Sequence, residues 1–189
     1  MNERAVAELL DKQAITEGLY RYCRSMDRMD KELFRRTFHP DMVAQYTPEH
    51  IVRSADEFIE WMWAHHRRYH NHSHQVSNIL IEVNGDEAAS ESYVHARLTR
   101  RLPNGRFELM TAMGRYIDRW EKRDGEWKIA HRRYLHDIMD IREIDDLIPA
   151  GISFAVRDPD DITRDPSYEV IDTHTPRKMV DQRGRATIE

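Results

Sequence analysis

The chain has 189 residues, 40% hydrophobic and 33% charged, with a formal net charge of −5. That size accommodates one domain with an extension, and the acidic balance offers no basic field for nucleic acid. A single cysteine, Cys23, excludes an intramolecular disulfide framework and a cysteine-rich zinc site, and the lack of an apolar run near 20 residues or a signal-peptide pattern points to a cytoplasmic protein without a membrane partner.

Residues 3–28 place Val6, Leu9, Leu10, Ile15, Leu19, Tyr22, Cys23 and Met26 at gaps of three and four, which predicts one amphipathic helix. Asp27 follows beside the buried stripe, and Tyr22 lies five residues earlier, about 140° round the helix at roughly 100° per residue. Cys23, among Tyr20, Tyr22 and Met26, reads as a buried thiol rather than a nucleophile. Asp30 has the chemistry of an N-cap for a short helix carrying Leu33, Phe34 and Phe38, which should stop at His39-Pro40. Met42 to Tyr46 alternates as a short strand. Ser54 and Glu57 form a capping-box pair that opens a third helix, whose inner face is expected at Phe58, Trp61, Met62 and His65.

The period changes after Tyr69. Val76, Ile79 and Ile81 precede the turn Asn84-Gly85-Asp86; Glu87–Arg101 precedes Pro103-Asn104-Gly105; Arg106–Lys122 precedes Asp124-Gly125; and Trp127–Ile138 follows. Four long antiparallel strands behind three helices predict an α+β fold with the helices on one face of a curved sheet. From Ile141 the period decays and prolines recur at 149, 159, 166 and 176, so the expected division is a domain at 1–140 and an irregular extension at 141–189.

His74, at the head of the first long strand, and Asp27, at the end of the first helix, form the candidate chemistry. Histidine exchanges a proton near neutral pH, and a carboxylate on its other ring nitrogen fixes the tautomer and stabilises the cation. No GxSxG, GxGxxG or P-loop motif is present. The residues therefore point to proton abstraction with no cofactor and no metal. His72 and His74 share a strand face and offer a rival metal reading, but no third ligand stands at comparable spacing, although His95 approaches from the next strand.

The stretches AITEGLYRYCRSMD, HPDMVAQY, SHQVSNILIEVNGDEA and RWEKRDGEWKIAHRR resemble the SnoaL-like branch of the cystatin-like, NTF2-like cone fold, over roughly residues 5 to 138. Within it the chain is most similar to scytalone dehydratase, hexachlorocyclohexane dehydrochlorinase and bile-acid 7α-dehydratase. The resemblance implies Asp27 and His74 as the catalytic pair, with Tyr22 and Tyr46 as phenols of the site. The bile-acid enzyme's acidic residue on the second long strand falls near Ala96, beside His95, and its last-strand arginine falls near His136. Arg97, Arg115 and Arg133 lie mid-strand; Arg133, with His95, His136 and Trp61, completes the expected substrate-binding set. The implied activity is a lyase or isomerase acting on a cyclic hydrophobic molecule. The alternative is a non-catalytic cone protein, such as a β-like subunit of a ring-hydroxylating dioxygenase or a ligand carrier.

Two further expectations concern assembly. Tyr93, Val94, Tyr116, Ile117 and Ile129 would give the sheet an apolar open face, and the resemblance implies a homo-oligomer, a trimer in preference to a dimer. In the extension, Leu147 to Phe154 is the most apolar segment and is expected at the cavity mouth or a subunit boundary, with the chain beyond Asp158 wrapping the surface.

Overall fold

A computed structural model describes residues 3–145 and 158–171. The chain order is α1 (Glu3–Arg28), α2 (Lys31–Thr37), β1 (Phe38–Gln45), β2 (Ile51–Val52), α3 (Ala55–His66), β3 (Asn71–Asn84), β4 (Glu87–Arg101), β5 (Phe107–Arg123) and β6 (Glu126–Ile144). A 3-10 turn at Ile162–Arg164 and a short helix, α4 (Ser167–Val170), follow. The six strands make one sheet in the order β2-β1-β6-β5-β4-β3. The four long strands are antiparallel, as their alternation and tight turns require, and β1 adds a parallel pairing to β6.

Two expected boundaries move. Pro40 lies inside β1 rather than after a helix, because α2 already ends at Thr37 and Phe38 is extended. Strand β6 continues to Ile144, paired with Phe107, so the sheet runs past residue 140.

The core lies between the helices and one face of the sheet. Ile15, Leu19, Tyr22, Cys23 and Met26 of α1 meet Val94 of β4, Tyr116 and Trp120 of β5 and Ile129 of β6. The buried stripe of α3 is Ala55, Phe58, Ile59, Met62, Trp63 and His66, so Trp61 and His65 sit on its flank rather than at its centre. The apolar open face predicted for the sheet is also revised. Val94, Tyr116 and Ile129 point into the core, leaving Tyr93 exposed on the other side.

Local chemistry sets both ends of the helical layer. The Asp30 carboxylate accepts the Leu33 N–H at 2.9 Å, capping α2, and Ser54 Oγ accepts the Glu57 N–H at 3.1 Å, capping α3. Helix α1 closes with Met29 at φ 58, in left-handed geometry more usual for glycine, while the Asp30 N–H reaches back to the Ser25 carbonyl at 2.9 Å. Met29 is only 2% exposed, so packing offsets a conformational cost of roughly 1–2 kcal/mol. This stop fixes Asp27 in the last turn of α1.

Candidate active site

Asp27 and His74 meet where the end of α1 crosses the start of β3. His74 Nδ1 lies 2.7 Å from Asp27 Oδ1, and the side chains are 5% and 14% exposed respectively. The backbone N–H of His74 also donates to the carboxylate, at 3.0 Å to Oδ1 and 3.1 Å to Oδ2. The carboxylate is thus held by both the main chain and the ring of one residue. With Nδ1–H directed at Asp27, the neutral tautomer carries its lone pair on Nε2, which has no hydrogen-bond partner among the described residues. An open cleft of about 450 Å³ reaches the pair, walled by Tyr20, Cys23, Arg24, Asp27, Arg28, His74, Gln75 and Val76. Burial pushes the Cys23 thiol up to about 12, which makes it an inert wall group.

A second polar cluster lies deeper. Tyr22 Oη and Tyr46 Oη are 2.9 Å apart, Tyr46 stacks on Tyr134 at 5.3 Å, and Trp61 packs on Tyr46 at 5.5 Å. Beneath them Arg132 makes a bidentate pair with Asp118, Nε to Oδ1 and Nη2 to Oδ2 both at 2.7 Å, with no exposure of either side chain. Its guanidinium lies 4.2 Å from the Tyr22 ring centre and 4.0 Å from that of Tyr116, and Nη1 is buried without a hydrogen-bond partner among the described residues. Burial works against the cation, but the charge and hydrogen bonds of Asp118 outweigh it and raise the Arg132 pKa well above the ordinary range. Burial raises Tyr22, and raises Tyr46 and Tyr116 well above 10.0. All three phenols therefore keep their protons at neutral pH, and within the Tyr22–Tyr46 pair one hydroxyl donates to the other.

The expected site residues divide into three groups. Asp27 and His74 are together, and Tyr22, Tyr46 and Trp61 are together, but none of these last three, Tyr22 included, walls the cleft at the dyad, because Tyr22 turns into the core. His136 is exposed and, among the described residues, joins the second cluster through Tyr134, Oη to Nδ1 at 3.0 Å. His95 and Arg133 lie on the outer face, His95 in register with Gln75 and Met113, and Arg133 exposed.

The last misplacement has a clear cause. Alternation from Trp127 and Ile129 carries residues 131 and 133 inward. The register of β6 shifts between Ile129 and His131, an extra residue that turns Arg132 and Tyr134 inward instead. Arg97 is exposed, and Arg115 is paired with Asp137 and Glu91 across neighbouring strands. Arg132, Asp118, Tyr116 and Tyr134 are the residues that sequence reasoning missed. Among the described residues no group of three or more His, Cys, Asp or Glu is placed to hold a metal ion.

Residues 158–171 form a strap beside the cleft. Asp165 pairs with Arg28, Ser167 Oγ accepts from Arg24 at 3.0 Å, and Tyr168 Oη donates to Asp30 at 2.8 Å. Burial alone would raise the Asp165 pKa, but hydrogen bonds from Ser167 and the charges of Arg28 and Arg24 lower it below 3.8. The apolar segment 147–154, expected at the mouth, lies outside the described residues.

This α+β arrangement, with helices packed in the concave face of a curved sheet, is the cystatin-like, NTF2-like cone. The chain belongs to the SnoaL-like domain family, whose model matches residues 7–133. A search of curated proteins gives no significant match. Among solved structures, a variant of Rv3472, a protein of unknown function from Mycobacterium tuberculosis, is 27% identical with a TM-score of 0.60, covering 70% of this chain and 75% of its own. A candidate scytalone dehydratase from Novosphingobium aromaticivorans is 24% identical with a TM-score of 0.66, covering 79% and 99%. A type 2 hexachlorocyclohexane dehydrochlorinase is 17% identical with a TM-score of 0.67, covering 78% and 99%; at these last two identities the likeness is one of fold. No helix of the described residues is long and apolar enough to cross a membrane.

Proposed function

We propose that this protein is a cofactor-independent lyase or isomerase in which His74 is the general base and Asp27 its orienting partner, acting on a cyclic, largely hydrophobic small molecule. The observation that carries the reading is the 2.7 Å Asp27–His74 contact, doubled by the His74 backbone N–H on the same carboxylate. His74 Nε2 takes a proton from carbon next to an activating group. The electron pair of that C–H bond forms the new C=C, and the leaving group departs from the adjacent carbon with its own bonding pair. Asp27 stabilises the imidazolium as it forms, and low exposure strengthens that attraction. In the isomerase variant the proton returns to a different carbon.

The cleft volume of about 450 Å³ suits a molecule of one to three rings. The likeness to a candidate dehydratase and to a dehydrochlorinase supports an elimination over other proton transfers.

The test is a thermal-shift screen of the purified protein against steroidal, aromatic and halogenated cyclic compounds, followed by product analysis for each binder. Loss of water or halide, or migration of a double bond, from a stabilising compound is expected. Binding with no turnover of any binder, together with co-purification of a large subunit, would replace this reading with the non-catalytic one.

A further inference from the structure

Beside the dyad lies a second histidine whose surroundings are unusual. His72 is 8% exposed and faces the same side of β3 as His74. Its Nδ1 lies 3.2 Å from the carbonyl oxygen of Met26, and its Nε2 lies 3.0 Å from the carbonyl oxygen of His66. Both partners only accept, and a neutral imidazole has one N–H to give. In either neutral tautomer one ring lone pair would therefore face a carbonyl oxygen at hydrogen-bond distance. Rotating the ring by half a turn puts carbon at both positions, which serves neither oxygen.

The two carbonyls share a further property. Met26 is in the last turn of α1, and His66 is the last residue of α3. A helix carries partial negative charge at its C-terminus, where its last carbonyls lack helical partners. These oxygens also accept the N–H groups of Met29 and Tyr69, so His72 uses their second lone pairs. Two convergent helix C-termini form a site for a compact buried cation.

We propose that His72 is a doubly protonated imidazolium at neutral pH, a cationic cross-brace between the ends of α1 and α3 that positions the Asp27–His74 pair. Burial works against a charge on His72, so the two carbonyl oxygens are what hold it, and the ionisable groups around it are few. From α1 comes the Asp27 carboxylate, next to Met26; from α3 comes the His66 ring, edge-on at 4.7 Å; from the linker comes Tyr69 at 6.0 Å; and from β3 comes His74 at 6.3 Å. The register partner of His72 on β4 is the apolar Leu98. Losing the extra proton would set one carbonyl against a lone pair and let the end of α1, with Asp27, move from β3. Its positioning role in catalysis rests on the general-base reading; its protonation state does not.

The experiment is a long-range proton–nitrogen NMR correlation of the full chain labelled with nitrogen-15, across a pH series. At pH 7 both ring nitrogens of His72 are expected in the protonated range, and the low-field Nδ1–H proton of His74 is expected to be sharp. Raising the pH should remove one His72 proton and broaden the His74 signal over the same interval. His72→Gln, which keeps a single-sided donor, should broaden that signal at every pH. A neutral His72 at pH 7 overturns the proposal. So does a His74 signal indifferent to the His72 titration, a reading made on the wild type and therefore independent of whether the variant folds. An imidazolium coupled to His74 in a protein that turns over no substrate supports this proposal and counts against the general-base reading alone.

Discussion

Asp118→Ala is the substitution whose cost the structure defines best. It removes both acceptors of a guanidinium that has no exposed atom, breaking two 2.7 Å charge-assisted hydrogen bonds. What remains around Arg132 is three aromatic rings: Tyr116 at 4.0 Å, Tyr22 at 4.2 Å and Phe38 at 5.6 Å. Breaking one side of a buried pair costs about 3–5 kcal/mol, and desolvated cation–π contacts of roughly 2 kcal/mol each are already present in the wild type, so they recover nothing. For a domain of this size that is a fall in Tm of about 6–20 °C. The double variant Asp118→Leu with Arg132→Met removes both charges at similar volume and should regain most of the loss. Urea denaturation of the wild type, single and double variants measures this directly. A single variant within about 1 kcal/mol of wild type, or a double variant no better than the single, would refute the view of Arg132 as a captive charge.

Alkali should weaken the fold steeply. The pKa values of Tyr22, Tyr46 and Tyr116 are raised by burial, so their contribution is complete below the unfolded value of 10.0 and is lost as pH rises above it. Urea midpoints, with tyrosinate absorbance alongside, should fall above pH 10 for the wild type and less for Tyr46→Phe. Gly114→Ala should cost about 1–3 kcal/mol, because its methyl would stand 2.2 Å from the Leu135 carbonyl oxygen and 2.7 Å from the Tyr134 ring; urea denaturation measures the loss. Arg28→Gln should release the strap, hastening tryptic cleavage after Arg164, yet change stability by no more than ~1 kcal/mol, the range of partly exposed pairs.

Much of this architecture was legible from local pattern. The 3.6-residue stripe of α1, the N-caps at Asp30 and Ser54, and the turns Asn84-Gly85, Asn104-Gly105 and Asp124-Gly125 each signal themselves within a few residues. The Asp27–His74 contact was legible because the two residues stand at the ends of two readable elements. Arg132 was hidden by the register shift in β6, where one extra residue after Ile129 reverses the inward assignments until a second shift at Asp137. The parallel pairing of β1 with β6 was hidden for another reason: it joins segments about 90 residues apart through hydrogen bonds that leave no compositional trace. The α3 stripe was misread because Phe58, Trp61, Met62 and His65 also satisfy helical spacing; packing turns the helix so that Ile59, Trp63 and His66 are buried instead.

The central claim is that His74, oriented by Asp27, takes a proton from carbon. Its most direct test is the rate of elimination from a halogenated cyclohexane and from a cyclic β-hydroxyketone, whichever the wild type accepts, in His74→Gln and Asp27→Asn. His74→Gln should remove catalysis without unfolding the protein. Asp27→Asn should lower the rate by about 10⁴-fold, the loss seen when a triad's orienting carboxylate becomes an amide. Folded variants that both turn over substrate within a few-fold of wild type would contradict the account.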